Sequence, residues 1–210
     1  MLVAVLTAFA FVSSLPAILG AYQQRRLIHY LFKPLTICFI ILVALQPKHP
    51  ASAFYRYAVI LGLLFSLAGD IFLMLPRDHF IQGLVSFFIA HLFYVAAFVY
   101  ASGLDLPFFS LIPFALYGTV MLRWLWPHLG KLRLPVLAYM MVILLMGWTA
   151  TGRWIWTGQG GSLVAMLGAL LFIASDSLLA LDRFRGRKRY AQLLILSTYF
   201  TAQWLIALST

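Results

Sequence analysis

Asp70 and Asp176 stand inside apolar runs, GLLFSLAGDIFLML at 62–75 and LLFIASDSLLAL at 170–181. An ionisable group kept in hydrocarbon needs a partner within the fold and marks a functional site by default. Two carboxyls that face one cavity in unlike surroundings can divide acid–base work. Desolvation favours the neutral acid, which can give up a proton, and an adjacent cation favours the carboxylate, which can stabilise a developing positive charge. Lys33 is the cation placed to do this. His91 and Tyr94, three residues apart on one helical face, with Tyr139, Tyr199 and Gln203, could relay protons or orient a substrate. The candidate catalytic set is therefore Asp70, Asp176 and His91, and the candidate binding set is Lys33, Tyr94, Tyr139, Tyr199 and Gln203.

Each element also has a purely structural reading. Asp70 with Lys33 would make a buried ion pair, His91 a hydrogen-bonded core histidine, and the tyrosines ordinary packing. Arg77, Asp78 and His79 read as a solvated turn. His29, His49 and His128 fall at loop margins without neighbours of their kind, so no metal site is expected, since a hydrolytic centre needs about three converging ligands. The single Cys38 excludes an intrachain disulfide and offers no metal spacing. No cofactor is called for.

These residues are set in a chain of 210 residues that is 64% hydrophobic and 10% charged, with a mean hydropathy of +0.98. No water-soluble domain of this size could carry such a surface, so the fold class is an all-α polytopic membrane protein. Glutamate is absent, and of the five aspartates (70, 78, 105, 176, 182) two lie within apolar runs. The net charge of +10 sits in short loops and reads as membrane topology and headgroup contact, not nucleic-acid binding. The first twenty residues lack a basic leader and are expected to form a retained helix rather than a signal peptide.

About twenty apolar residues cross a bilayer. That length predicts a single integral membrane domain, 1–210, with eight spans at 2–21, 28–45, 54–75, 80–101, 106–126, 134–150, 162–181 and 190–208. Pro47, Pro50, Pro76, Pro107, Pro127 and Pro135 fall near span ends, whereas Pro16, Pro34 and Pro113 lie within or at the edge of spans. Trp124, Trp126, Trp148, Trp154 and Trp156 are expected at the membrane interfaces. The odd-numbered loops and their flanks carry Arg25, Arg26, Arg77, Arg123, Lys131, Arg133, Arg183, Arg185, Arg187, Lys188 and Arg189; the even side carries Lys48, Arg56 and Arg153. Eleven against three places the odd loops in the cytoplasm and both termini outside.

The spans also set depth. Asp70 and Asp176 each lie five residues before the cytoplasmic end of a span and Lys33 five after one, about 8 Å below the boundary at 1.5 Å per residue. They can meet there. Gly62, Ser66 and Gly69 precede Asp70, and Gly161, Ala165, Gly168 and Ala169 precede Asp176, so helices 3 and 7 can approach their neighbours closely. The shared pattern of an Asp after a small residue, then Leu at the third and fifth following positions, suggests a degenerate parallel repeat of four helices plus four.

KPLT at 33–36, GDIFLML at 69–75, F-x-x-x-HLFY at 87–94, LFIASDSLLA at 171–180 and TYFTAQWLI at 198–206 together resemble the YhhN-like lysoplasmalogenase family. The resemblance spans helices 2 to 8 and looks like the bacterial branch. It implies an integral membrane hydrolase that cleaves the vinyl-ether bond of a lysophospholipid substrate, lysoplasmalogen, to a fatty aldehyde and a glycerophospho-headgroup. It matches Asp70 and Asp176 to the family's two aspartates, and Lys33, His91, Tyr94, Tyr199 and Gln203 to polar motif positions. Such a reaction needs an acid, a stabilising anion and water, without a metal. Lys33 and Asp70 lie on successive helices, which would make Asp70 the anion and Asp176 the acid; the reverse assignment stays open. A groove between helices would hold the lipid chain, and basic residues at the rim its phosphate.

Two other classes fit the same composition. A small proton-coupled transporter would use midplane carboxylates and a His relay, with polar residues reaching both faces. A non-catalytic lipid-binding protein would tolerate neutral residues at both aspartates. The polar residues gather toward the cytoplasmic half, which favours a one-sided pocket. Oligomeric state is not encoded in any feature of the sequence.

Overall fold

The structure is a computed structural model and describes residues 1–46, 52–103, 106–186, 188 and 190–210. Pro47, Lys48, His49, Pro50, Asp105, Arg187 and Arg189 lie outside these. The described residues are all helical apart from turns. The helices are α1 (Leu2–Tyr22), α2 (Arg26–Ala44), α3 (Ala53–Met74), α4 (Phe80–Ser102), α5 (Ile112–Leu125), α6 (Arg133–Thr157), α7 (Gly160–Arg185) and α8 (Ala191–Leu208). With the short 3-10 turns that flank α5, eight segments are long and apolar enough to cross a membrane. Exposed Leu, Phe, Val and Tyr side chains cover the outside of the bundle. In water that surface would be a large apolar patch; in a bilayer it is the lipid-facing side. The chain is a multi-pass membrane protein.

Three helix ends depart most from the apolar boundaries. Helix 5 is shorter than 106–126, because Pro113 sits in its first turn and the chain before it, Phe108–Leu111, winds as a 3-10 turn. Helix 6 runs past Ala150 to Thr157. Thr149 and Thr151 satisfy their hydroxyls on the carbonyls of Leu145 and Gly147, and the helix stops only where Gly158 adopts a left-handed φ of 61°. Helix 7 continues past Leu181 to Arg185 and ends at Gly186, φ 111°. At the other membrane side Ser52 caps α3 by accepting the Tyr55 N–H at 3.1 Å. The longer α6 places Trp148 and Arg153 inside a helix. Trp148 is half-buried and donates to Ser110 Oγ at 3.1 Å, so it packs α6 against the turn before α5.

The short connections make hairpins of α1 with α2, α3 with α4, and α7 with α8, and α6 packs between α4 and α7. Seven helices thus form a ring, closed by α8 on α1, while α5 lies outside against α6 and α7. Helix α8 also touches α2 and α3, which makes it the element through which the two sides of the ring meet. Glycine permits the tightest of these contacts. A Cβ on Gly168 would lie 2.9 Å from the Ala202 carbonyl of α8, and one on Gly62 would lie 2.3 Å from the Tyr94 ring of α4. Both carboxylate-bearing helices therefore press their small faces into the bundle. Asp70 is 1% exposed.

Candidate active site

A cavity of about 1,090 Å³ enters the bundle from the end that carries the α1–α2, α3–α4 and α7–α8 connections. Its lining residues lie toward that end of the helices, with Tyr117 of α5 near mid-helix. Lys33, Asp70, Phe87, Tyr139, Asp176 and Tyr199 surround its deep part, and Arg26, Arg77, Asp78, Arg183 and Lys188 surround its mouth. Between them, Leu84, Met121, Leu125, Val136 and Met140 make an apolar wall.

Asp70 and Asp176 reach this cavity in different company. Lys33 Nζ is 2.9 Å from Asp70 Oδ1, with both side chains nearly closed off from solvent, and Tyr199 donates its hydroxyl to Asp70 Oδ2 at 2.7 Å. Behind Tyr199, Gln203 Nε2 donates to its phenolic oxygen at 3.1 Å, and Tyr94 donates to Gln203 Oε1 at 2.8 Å. Every donor in this chain points toward Asp70. A carboxylate is an acceptor only, so that polarity suits an ionised Asp70. Asp176, half-buried on α7, receives the Tyr139 hydroxyl from α6. Both carboxyls line the same cavity.

The helix ends place the two differently along the membrane normal than equal span lengths imply. Asp70 lies four residues before the end of α3 and Asp176 nine before the end of the longer α7. They converge because α7 extends beyond α3 at the mouth, not because the two helices end at one level.

His91, Tyr94 and Gln203 do not line the cavity. His91 is fully buried behind its wall, edge-on to Phe172 (ring centroids 4.7 Å) and Tyr139 (5.3 Å). Among the described residues its ring nitrogens have no hydrogen-bond partner of ordinary geometry, and the Phe87 carbonyl one turn back offers only a weak contact. Tyr94 and Gln203 support Tyr199 from behind. Two aromatic residues not singled out by the sequence complete the site: Phe87 and Phe172 pack edge-on against Tyr199 at 6.0 and 5.4 Å. Each sits four residues before a polar candidate, His91 and Asp176, and that spacing is the signal that could have found them.

At the mouth, Arg183 Nη2 donates to Asp78 Oδ2 at 2.6 Å and its guanidinium lies 5.0 Å from the Phe80 ring centre. This joins α7 to the α3–α4 turn. The guanidinium holds the Asp78 carboxyl below the usual range. Asp182 accepts the Lys188 N–H at 2.8 Å and so turns the chain from α7 toward α8. His29, on α2, contacts the Ala17 carbonyl at 2.9 Å and also faces the cavity. Among the described residues no group of three or more His, Cys, Asp or Glu converges.

No solved structure matches the chain. Its sequence is 32% identical to the Escherichia coli O6:H1 membrane protein YhhN over 192 residues, 90% of each chain. It is 37% identical over 171 residues to the bovine lysoplasmalogenase TMEM86A, covering 77% of this chain and 66% of that one. With the human lysoplasmalogenase TMEM86B it shares 40% identity over 150 residues, 70% and 61% of the two chains. The YhhN family pattern runs across residues 28–210, from the first turn of α2 through α8, and so takes in every residue of the cavity's deep part; the chain belongs to the YhhN family.

Proposed function

We propose that this protein is a lysoplasmalogenase-type hydrolase that cleaves the vinyl-ether bond of a 1-alkenyl lysophospholipid. The observation that carries the reading is the pair of carboxyls on one cavity, one held by Lys33 and Tyr199 and the other, among the described residues, by Tyr139 alone. The names of the bovine and human relatives supply the reaction class.

Asp176, as the carboxylic acid, gives its proton to the outer alkene carbon, and the electron pair of the C=C bond forms the new C–H bond. The cation left is an oxocarbenium, shared between the adjacent carbon and the ether oxygen. Asp70 faces it as the anion, and its charge stabilises the cation. A cavity water adds to the cationic carbon and returns a proton to Asp176, giving a hemiacetal. Collapse then breaks the C–O bond to glycerol and leaves a fatty aldehyde and the glycerophospho-headgroup. Tyr139 orients Asp176, and Tyr199, backed by Gln203 and Tyr94, orients Asp70. His91 stiffens the wall behind them. Arg26, Arg77 and Lys188 at the mouth suit a phosphate, and the apolar wall suits an alkyl chain.

The chemistry asks for no metal. We further place the odd-numbered connections in the cytoplasm and both termini in the periplasm of a bacterial inner membrane, on the charge asymmetry. The matching hairpins α3–α4 and α7–α8, each with an aspartate on its first helix, support a four-plus-four repeat. A carrier would need a polar path to both faces, and this cavity is lined from one half.

The test is aldehyde release from a lysoplasmalogen by purified protein in detergent, with ethanolamine and choline headgroups. Asp70→Asn and Asp176→Asn should each lose roughly 100-fold or more in kcat while remaining monodisperse. Near-normal turnover in both variants would overturn the two-carboxylate mechanism.

A further inference from the structure

The cavity holds a primary amine beside a carboxylate at the foot of an apolar wall, and this arrangement reacts with one class of molecule in particular. We propose that Lys33 is a covalent binding site for long-chain aldehydes, which it takes up reversibly as a protonated imine with Asp70 as counter-ion. The origin of the aldehyde rests on the hydrolase reading above; the site itself does not.

Three observations converge. Lys33 Nζ lines the cavity and is 7% exposed as a residue, so it meets only what enters that space. Asp70 Oδ1, 2.9 Å away, is placed to take the proton that the ammonium must lose before it attacks. The volume of about 1,090 Å³ and the apolar lining by Leu84, Met121 and Ile143 suit a lipid-sized chain, at the upper end of small-molecule pockets.

The steps balance. A proton passes from Lys33 to Asp70, and the amine lone pair forms a C–N bond to the aldehyde carbon, its C=O electrons moving to oxygen. The oxygen gains protons and departs as water, and the nitrogen lone pair closes the C=N bond. Overall, ammonium plus aldehyde gives protonated imine plus water. The positive charge stays on the same nitrogen, so the Asp70 pair and the Tyr199 hydrogen bond persist. Water in the cavity reverses the reaction. A hydrolase that makes an aldehyde here would therefore be restrained by its own product through a linkage that borohydride can fix.

The test adds hexadecanal and sodium borohydride to the detergent-purified full chain and maps alkylated lysines by peptide mass spectrometry. Native wild-type protein should carry the hexadecyl group on Lys33 at least roughly tenfold more than on exposed Lys131, a small demand against the effective molarities of confined reactants. Protein unfolded in SDS should lose the preference. Lys33→Arg, which keeps a cation beside Asp70, should show no adduct on that peptide. Absence of a Lys33 adduct in the native protein, or equal labelling of all lysines, would overturn the proposal. Lysoplasmalogen hydrolysis is measured on the same preparation. Turnover without the adduct rejects this inference alone, and the adduct without turnover keeps the aldehyde site and rejects the hydrolase reading.

Discussion

Removing Lys33 should unbalance the protein more than any other single change at the site. Its Nζ lies 2.9 Å from Asp70 Oδ1, and the two side chains are 9% and 2% exposed. Lys33→Met preserves much of the length and all of the apolar stem but leaves Asp70 with the Tyr199 hydroxyl as its remaining donor. Breaking a buried pair from one side costs about 3–5 kcal/mol, because the surviving charge keeps its desolvation penalty and loses its compensation. Removing both charges need not cost that much, since a buried pair and a neutral replacement of similar shape are often close in stability. The assay is a double-mutant cycle, Lys33→Met, Asp70→Asn and the two combined, with unfolding followed by circular dichroism in mixed detergent and SDS micelles. The combined variant should recover at least half of the loss seen in Lys33→Met. If Lys33→Met unfolds as the wild type does, or if the combined variant is as unstable as the sum of the singles, the pair is not a stabilising unit.

Tyr199→Phe removes a hydrogen bond to a buried charge, so kcat should fall by about 10- to 100-fold, corresponding to roughly 1.5–3 kcal/mol, and loss of Asp70 on top should add little; steady-state kinetics of the single and double variants decide it. Gly62→Ala would put a methyl 2.3 Å from the Tyr94 ring and displace it from Gln203, at about 1–3 kcal/mol, and Tyr94→Val in the same chain should return the stability without the activity; paired thermal-unfolding and turnover measurements read both. EDTA should leave turnover unchanged in a direct rate assay. Asp78 has its carboxyl held below the usual range by Arg183, so its folded-state pairing is complete above the ordinary Asp value of about 3.9 and is lost only as pH falls through the lower folded value. Wild type and Asp78→Asn should therefore give parallel rate profiles from pH 5 to 8.

The sequence disclosed the bundle and its polar members because hydrocarbon makes exceptions conspicuous. Eight apolar runs could only be spans, and Lys33 and Asp70, on successive helices at matching depth, could hardly avoid each other. The small residues before Asp70 and Asp176 likewise announced close helix contacts, at Gly62 and Gly168 among others. What sequence could not show depends on rotation about helix axes. Nothing in the spacing says that Tyr139 turns to Asp176 while Tyr199 turns to Asp70, or that His91 faces Phe172 and not the cavity. The reach of α6 was hidden for another reason. Thr149, Thr151, Gly152 and Arg153 look like the start of a loop, but the threonines bond within the helix. Arg153 is buried against α3, donating to Tyr55 Oη at 2.6 Å with its guanidinium 4.3 Å from that ring. Ring order, with α5 left outside, is likewise a property of packing and not of any one segment.

The outer half of the bundle has a bearing on energy conservation. Beyond the cavity floor the interior holds Leu63, Phe98, Met146, Ala150, Ala165 and Ile206, none with any exposed surface, together with the buried hydrogen bond from Arg153 to Tyr55. A wet, ionisable chamber sunk partway through a membrane that maintains an electrochemical gradient would be a short circuit if water could continue past it. Under the proposed hydrolysis, this closed packing would leave the proton-handling groups open to the cavity's side of the membrane alone. The proposed chemistry would then draw its protons from that side, and the membrane would stay charged.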